Sequence, residues 1–419
     1  MPDHAETAVE PRTFPRSTLP IVLSTVALDA LGFGIVVPVV PSLVMQLGHL
    51  SAAHASLMMG MLLAAYSVMQ FLCAPLLGAI SDRFGRRPVL IAALGGMCVN
   101  YLLLSWAPSL AWLFLGRVIA GATAASYSTA TACIADVTPV HKRAQRFGLV
   151  GAMFGLGFVA GPALGGLLGS YGLRFPFILS AVLAAANCVF AAFMLPETLD
   201  HAVRRPIRLR EANPLGSMRV LGADGDFRRL ALAWCCAWFA LGILQSTFVL
   251  ANELRLHWTL QQNGLALAVV GIGSAVVQGL LVRRLVPWLG ERRAALIGYG
   301  LSGAAYVAFA LAFDPAILFV GIVLQAFGAI SGPAVQSMIS GRAGADYQGG
   351  IQGALASVQG LTAIVAPLAG GYVFSAFANP DATPYIPGAP YLMAAAAYVV
   401  AIISVASVRT RDIGADRLP

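Results

Sequence analysis

Residues 56–107 read SLMMGMLLAAYSVMQFLCAPLLGAI, SDRFGRR, PVLIAALGGMCVNYLLLSWA: an apolar run from Ser56 to Ile80, a charged segment from Ser81 to Arg87, and a second apolar run from Pro88 to Ala107. Each apolar run reaches the roughly 20 residues that a helix needs to cross the hydrocarbon core of a bilayer. Lipid offers the backbone no hydrogen-bond partners, so an uninterrupted run of this kind satisfies its own peptide groups as a helix. The charged segment between the two runs is then a short turn at the membrane surface.

Outward from this stretch the same pattern recurs along the chain. It predicts spans over 18–40, 56–80, 88–107, 110–134, 145–170, 174–195, 229–251, 263–282, 294–312, 316–340, 350–377 and 390–408. The expectation is an all-α polytopic membrane protein with a tail at 1–17, a six-helix bundle at 18–195, a linker at 196–228, a second six-helix bundle at 229–408 and a tail at 409–419. The tail at 1–17 lacks the basic n-region of a signal peptide, and the run after it is too long for a cleaved one. The composition agrees, with 58% hydrophobic and 11% charged residues and a mean hydropathy of +0.80, values that a water-soluble domain does not tolerate.

The formal net charge of +8 raises the question of nucleic acid. The basic residues sit in short clusters between apolar runs, with no continuous patch or stacking platform, which excludes it. They serve topology instead: apart from Arg117, Arg174 and Arg255, every one of the 26 Lys and Arg falls on one side of the predicted spans. By the positive-inside rule both termini are cytoplasmic. The 196–228 linker, with Arg204, Arg205, Arg208, Arg210, Arg219 and Arg228, and with Arg229 directly after it, suits the anionic inner face of a membrane.

Cys73, Cys98, Cys133, Cys188, Cys235 and Cys236 lie inside apolar runs without metal-ligand spacing, so no metal or cofactor is expected. There is no phosphate-cradling Gly-Lys-Ser/Thr loop and no nucleophile constellation, and the six histidines lie in loops or the tail. The chain does not read as an enzyme. The segment Phe84–Gly85–Arg86–Arg87 before the third span is echoed by Leu289–Gly290–Glu291–Arg292–Arg293 before the ninth. An internal duplication of this kind suits two halves that rock about a central site.

Asp29 is the one acid deep inside a predicted span. Burial there costs about 2.5–3.5 kcal/mol on insertion scales, a cost relieved by taking up a proton. It is either a proton carrier or an inert acid held by Arg117 or backbone groups. Arg117 either snorkels from the start of the fourth span or faces inward. Gly157, Gly161, Gly165 and Gly169 recur every four residues around Pro162, a stripe for close helix packing. Gln70, Asn100, Tyr101, Gln245, Gln278, Ser302, Gln325, Gln336, Gln352 and Gln359 are costly against lipid, and therefore glue helices or line a cavity. Neutral amides and aromatics with one acid suit an amphiphilic, neutral or weakly cationic organic compound.

The segment Gly78–Ala–Ile–Ser–Asp82–Arg83–Phe–Gly85–Arg86–Arg87 resembles the loop signature of the major facilitator superfamily. Arg117–Val–Ile–Ala–Gly121 resembles its fourth-helix motif. Gly155–Leu–Gly–Phe–Val–Ala–Gly161–Pro162–Ala–Leu–Gly165–Gly166 resembles the fifth-helix signature of its drug/proton antiporters, and Leu28–Asp29 with Pro38 and Pro41 resembles the first-helix motif of that branch. The likeness spans the chain and is nearest to tetracycline efflux proteins. It implies export of a small organic compound or drug by proton-coupled alternating access. Asp29 and Arg117 would then be in proton coupling, and Asp82, Arg83, Arg87, Gly161, Pro162 and Gly165 in gating. The implied setting is a bacterial inner membrane, with lipids, protons and substrate as partners and the chain acting as a monomer. An inward symporter or facilitator for a metabolite shares the same fold. Tetracycline pumps carry acids where this chain has Asn100 and Ser302, so a metal-bound tetracycline is not the expected cargo.

Overall fold

The computed structural model describes residues 17–200, 204, 225–341 and 348–408, and among these the regular structure is entirely helical. The first span is α1 (Thr18–Val36) continued by α2 (Val40–Gly48), with Pro38 between them and Pro41 in the first turn of α2. It is followed by α3 (Ala52–Phe84), α4 (Arg86–Trp106), the pair α5 (Leu110–Ala122) and α6 (Ser126–Asp136), α7 (Val140–Tyr171) and α8 (Phe175–Met194). The second set begins with α9 (Gly225–Leu256). The eighth span joins α10 (Leu260–Val276) through a π-helical turn (Val277–Leu281) to α11 (Val282–Leu289). Then come α12 (Glu291–Ala310), the pair α13 (Pro315–Gly328) and α14 (Ser331–Ser340), α15 (Gln348–Phe377) and α16 (Ala389–Ala406).

Eleven of these spans are long and apolar enough to cross a membrane by length and composition. The twelfth, α12, has 20 residues but is less apolar, with Glu291, Arg292 and Arg293 in its first turn and Tyr299, Ser302 and Tyr306 on its buried face. The expected twelve spans are all present, with departures in their bounds and continuity, the broken tenth span and the π-helical turn of the eighth among them. The span placed at 18–40 bends at Pro38, which has no N–H to continue the ladder, and goes on to Gly48. The one placed at 110–134 breaks at residues 123–125. The one placed at 56–80 runs from Ala52, where Ser51 caps it, to Phe84. Most of the linker placed at 196–228, and both tails apart from Ser17, lie outside the described residues. Residues 196–200 belong to the first bundle, since Thr198 and Leu199 are buried.

The halves repeat one packing scheme. In the first, span 1 packs on spans 5 and 6, and span 3 on 4 and 6. In the second, span 7 packs on 11 and 12, and span 9 on 10 and 12. Spans 2 and 11, and spans 5 and 8, join the halves. Spans 4 and 10 are both broken helices. The two arginines on the sparsely charged end have matching roles: Arg174 donates to Ser105 O (2.6 Å) and Ala107 O (2.9 Å) at the end of α4, and Arg255 to Phe309 O (2.9 Å) and Ala310 O (3.2 Å) at the end of α12. Each spends its charge on the carbonyls and negative dipole end of a helix, which explains two exceptions to the one-sided charge pattern. Trp106, Phe193, Leu280 and Trp288 are exposed large apolar side chains, as a chain solvated by lipid allows.

Candidate functional site

Asp29 lies midway along α1, where its Oδ2 accepts a hydrogen bond from Ser126 Oγ at 2.6 Å. Ser126 opens α6, the second piece of the broken fourth span. The ladder is interrupted at residues 123–125, where the Ala124 N–H turns to Gly121 O (3.3 Å) and the Ala125 N–H to Thr123 O (2.7 Å). The start of α6 is thereby placed beside the acid. The Ser126 hydroxyl gives the partly buried Asp29 carboxyl a donor that both its ionised and its protonated form can accept.

A recess beside Asp29 is lined by Thr25, Val26, Ser126, Tyr127 and Phe154. From it runs an aromatic ladder. Tyr127 meets Phe154 edge-on at 5.5 Å, Phe154 stacks on Phe158 at 6.1 Å, and Phe158 stacks on Phe33 at 6.1 Å. Tyr127 and Phe154 remain 46% and 38% exposed.

Arg117 does not snorkel. It is 9% exposed and its Nη2 donates to Asn100 Oδ1 at 3.2 Å. No ion pair joins it to Asp29 among the described residues, although Tyr66 and Tyr101 lie within Coulombic reach of both. Asn100 and Tyr101 are themselves buried in the first bundle. Ser302 and Gln325 sit in the second bundle against the Tyr398 hydroxyl. Gln70 and Gln359 are half-buried, whereas Gln245, Gln278, Gln336 and Gln352 are exposed. Gln336 Nε2 and Gln352 Oε1 are 3.4 Å apart, and Gln278 lies on the π-helical turn, a distortion frequent at functional sites. The candidate cavity residues therefore form separate groups.

The charged turn is a network centred on Arg86. Its Nη1 donates to Asp82 Oδ1 (2.5 Å) and Ser81 Oγ (3.2 Å), and its Nε to Asp136 Oδ2 (3.1 Å). Glu197 accepts the backbone N–H groups of Arg86 (2.8 Å) and Arg87 (3.3 Å), capping α4 from the end of the sixth span. Gly85, at φ +115°, has the backbone that only glycine adopts freely, and a Cβ there would strike Glu197. Arg87 Nη2 donates to Ala192 O, and its counterpart Arg292 donates to Ala406 O, so the duplicated turn keeps one function in both halves. Arg83 stacks on Phe84 at 5.4 Å. Sequence reading selected Asp82, Arg83 and Arg87 and passed over Arg86, Asp136 and Glu197. The Asp82–Arg86 spacing of i, i+4 was the available signal.

The small-residue stripe of α7 serves two partners. Gly161 and Gly165 touch Gly34 and Ile35 of α1, within their own half, whereas Pro162 O and Gly166 touch Gly264 of α10 across the halves. On the other side of the interface Ser56 Oγ donates to Gly371 O at 2.9 Å, and Gly60 packs on Pro367. These close backbone contacts lie toward the end of the molecule opposite the charged turn.

Two six-helix bundles related by internal repeat, joined through paired small-residue seams and holding a partly buried acid in the first helix, are the architecture of a secondary transporter. The chain belongs to the Major Facilitator Superfamily, whose family model matches residues 22–322 and 230–417. It is 39% identical to the tetracycline resistance protein, class C, of Escherichia coli over 87% of this chain and 91% of that protein. It is 36% identical to the class G protein of Vibrio anguillarum over 87% and 92%. Among solved structures, the human organic anion transporter MFSD10 (TETRAN) matches with a TM-score of 0.69 and 26% identity over 93% of this chain and 99% of that one. The nucleoside transporter NupG shares the fold, with a TM-score of 0.73 at 14% identity over 93% and 98%. The chain is thus a multi-pass membrane transport protein, not an enzyme, that moves a small organic compound and is related to antibiotic-resistance efflux pumps.

Proposed function

We propose that the protein exports a small amphiphilic organic compound from a bacterial cell by antiport with protons across the inner membrane, with both termini in the cytoplasm. The observation that carries this reading is Asp29, bonded by Ser126 at the start of α6 and facing a recess lined with aromatic rings. In the proposed cycle Asp29 takes up a proton from the outer side, the bundles rock about the paired seams, and the proton leaves to the cytoplasm as cargo binds in its place. The Asp82–Arg86–Asp136 network, with Arg83 and Arg87 beside it, biases the balance between the two access states. The cross-half contacts of Pro162, with those of Gly166, close the outer side, and Gly161 and Gly165 fix α7 to α1.

The cargo is drawn from neutral or weakly charged aromatic amphiphiles. The names of the tetracycline resistance relatives bring tetracyclines into the test set. Asn100 and Ser302 argue against a metal-bound tetracycline as the best of them, since neither side chain supplies a carboxylate to a metal. The linker at 196–228 tethers the bundles, and the monomer is the working unit. The test is transport in proteoliposomes of defined orientation. Efflux-directed accumulation driven by an imposed pH gradient, and abolished by a protonophore, is the expected result. Counterflow that is indifferent to the gradient would make the protein a facilitator, and uptake toward the cytoplasmic face would make it a symporter.

A further inference from the structure

Arg117 is a buried cation whose single protein acceptor among the described residues is the neutral amide oxygen of Asn100. A guanidinium held away from water without a counter-charge is costly, and native proteins relieve that cost with an anion. The surroundings point the same way. Asn100 is 0% exposed, and its Nδ2 has no partner. The amide turns its oxygen to Arg117, because the reverse orientation would oppose two donors, and so its N–H pair stays available. Tyr101, the next residue along α4 and 2% exposed, also has a hydroxyl without a partner.

Gly116 lets α5 approach α4 here, since a Cβ on it would lie 3.0 Å from Asn100 Oδ1. Asp29 does not fill the role of counter-ion, as its carboxyl is turned to Ser126 and makes no ion pair with Arg117. The guanidinium and the amide N–H pair can only donate, and the hydroxyls can do so too. Donors with one net positive charge select an acceptor carrying one negative charge.

We infer that Arg117, Asn100 and Tyr101 form a binding site for one monovalent anionic group, a halide ion or the carboxylate of an organic acid. This site is separate from the proton-binding role of Asp29. It gives the transporter either an anion that travels with the cycle or a grip on an acidic cargo. A dianionic phosphate does not fit, because the group would meet only one full positive charge in a site without water.

The experiment uses the full-length protein purified in detergent, with melting temperature read at constant ionic strength. Sodium isethionate, a bulky sulfonate, is the reference, and chloride, bromide and benzoate are the probes. The wild type should show a saturable rise in melting temperature with at least one probe. Halides alone mark the inorganic source, and benzoate competing with halide marks the carboxylate. Asn100→Asp should weaken the response by at least about tenfold, because the introduced carboxylate neutralises Arg117 from within. Tyr101→Phe, which keeps the ring and removes one donor, should raise the half-saturating concentration and serves where Asn100→Asp fails to fold. Asp29→Asn should retain the response, so failure of the proton assignment would leave this result standing. No probe exceeding isethionate in the wild type, or equal half-saturation in wild type and both Asn100→Asp and Tyr101→Phe, overturns the site.

Discussion

Replacing Gly264 by alanine adds one methyl group at the seam between α7 and α10, and the cost can be worked out from the contacts. The new Cβ would lie 2.3 Å from Pro162 O and 3.0 Å from the Gly166 Cα, where ordinary contact begins at 3.4 Å. Both obstacles are backbone, so no side chain can turn aside and the helices must part by about 1 Å. Overpacking of this order costs about 1–3 kcal/mol. Because only the state with this seam closed bears that cost, the balance between access states should move about 5- to 150-fold toward the other one. Helix propensity cannot explain a loss, since alanine favours the helix by about 1 kcal/mol over glycine. Spin labels at the exposed positions Tyr171 and Leu265 would report the α7–α10 separation by pulsed dipolar spectroscopy. Gly300→Ala is the matched control, as nothing lies within 4 Å of its new methyl. The variant should show a longer distance distribution and slower exchange, with cargo still bound. A distribution identical to that of Gly300→Ala, with normal flux, would refute the closed-seam argument.

Asp82→Asn should slow exchange more than it weakens equilibrium cargo binding, because it loosens one arm of the Arg86 network and leaves the cavity intact; unchanged turnover at equal membrane abundance would return Asp82 to a folding role. Glu197→Gln keeps one acceptor for α4 and turns the other into a donor facing an N–H, so thermal stability should fall by about 1.5–3 kcal/mol, read from a calibrated unfolding assay. Phe154→Ala should lower affinity for aromatic cargo by about 0.5–1.5 kcal/mol, roughly two- to twelvefold, while a small non-aromatic substrate is unaffected. In cells, some lipophilic neutral or cationic aromatics should be exported better than tetracycline, and tight binding of metal-bound tetracycline with preferred transport of it would show that Asn100 and Ser302 do not exclude it.

The twelve spans were readable because an apolar run of twenty residues admits one solution in lipid. The duplication was readable from the turns at Gly85 and Gly290, and the structure extends it to Arg87 and Arg292 reaching equivalent carbonyls. The break at residues 123–125 was not readable. Ala122–Thr123–Ala124–Ala125 contains neither proline nor glycine, the residues that mark a helix end in a sequence. Ser126 was likewise invisible as the partner of Asp29, 97 residues away in sequence. The α7 stripe announced close packing, but only the neighbours of each glycine distinguish the face on α1 from the face on α10. The positions of buried Ser302 and half-buried Gln325 near Tyr398 likewise depend on tertiary packing, which a polar residue in an apolar run does not reveal.

Proton coupling through Asp29 is the central claim, and proton-to-cargo stoichiometry in Asp29→Asn tests it most directly. Wild type and variant would be reconstituted at equal density under matched inward proton gradients, with cargo accumulation and proton movement recorded together. The asparagine keeps the shape of the side chain and can still bond Ser126, so the fold and cargo binding should persist. The account predicts that Asp29→Asn loses concentrative transport and cargo-linked proton movement while passive exchange continues. Concentrative flux by the variant with an unchanged proton-to-cargo ratio would contradict it.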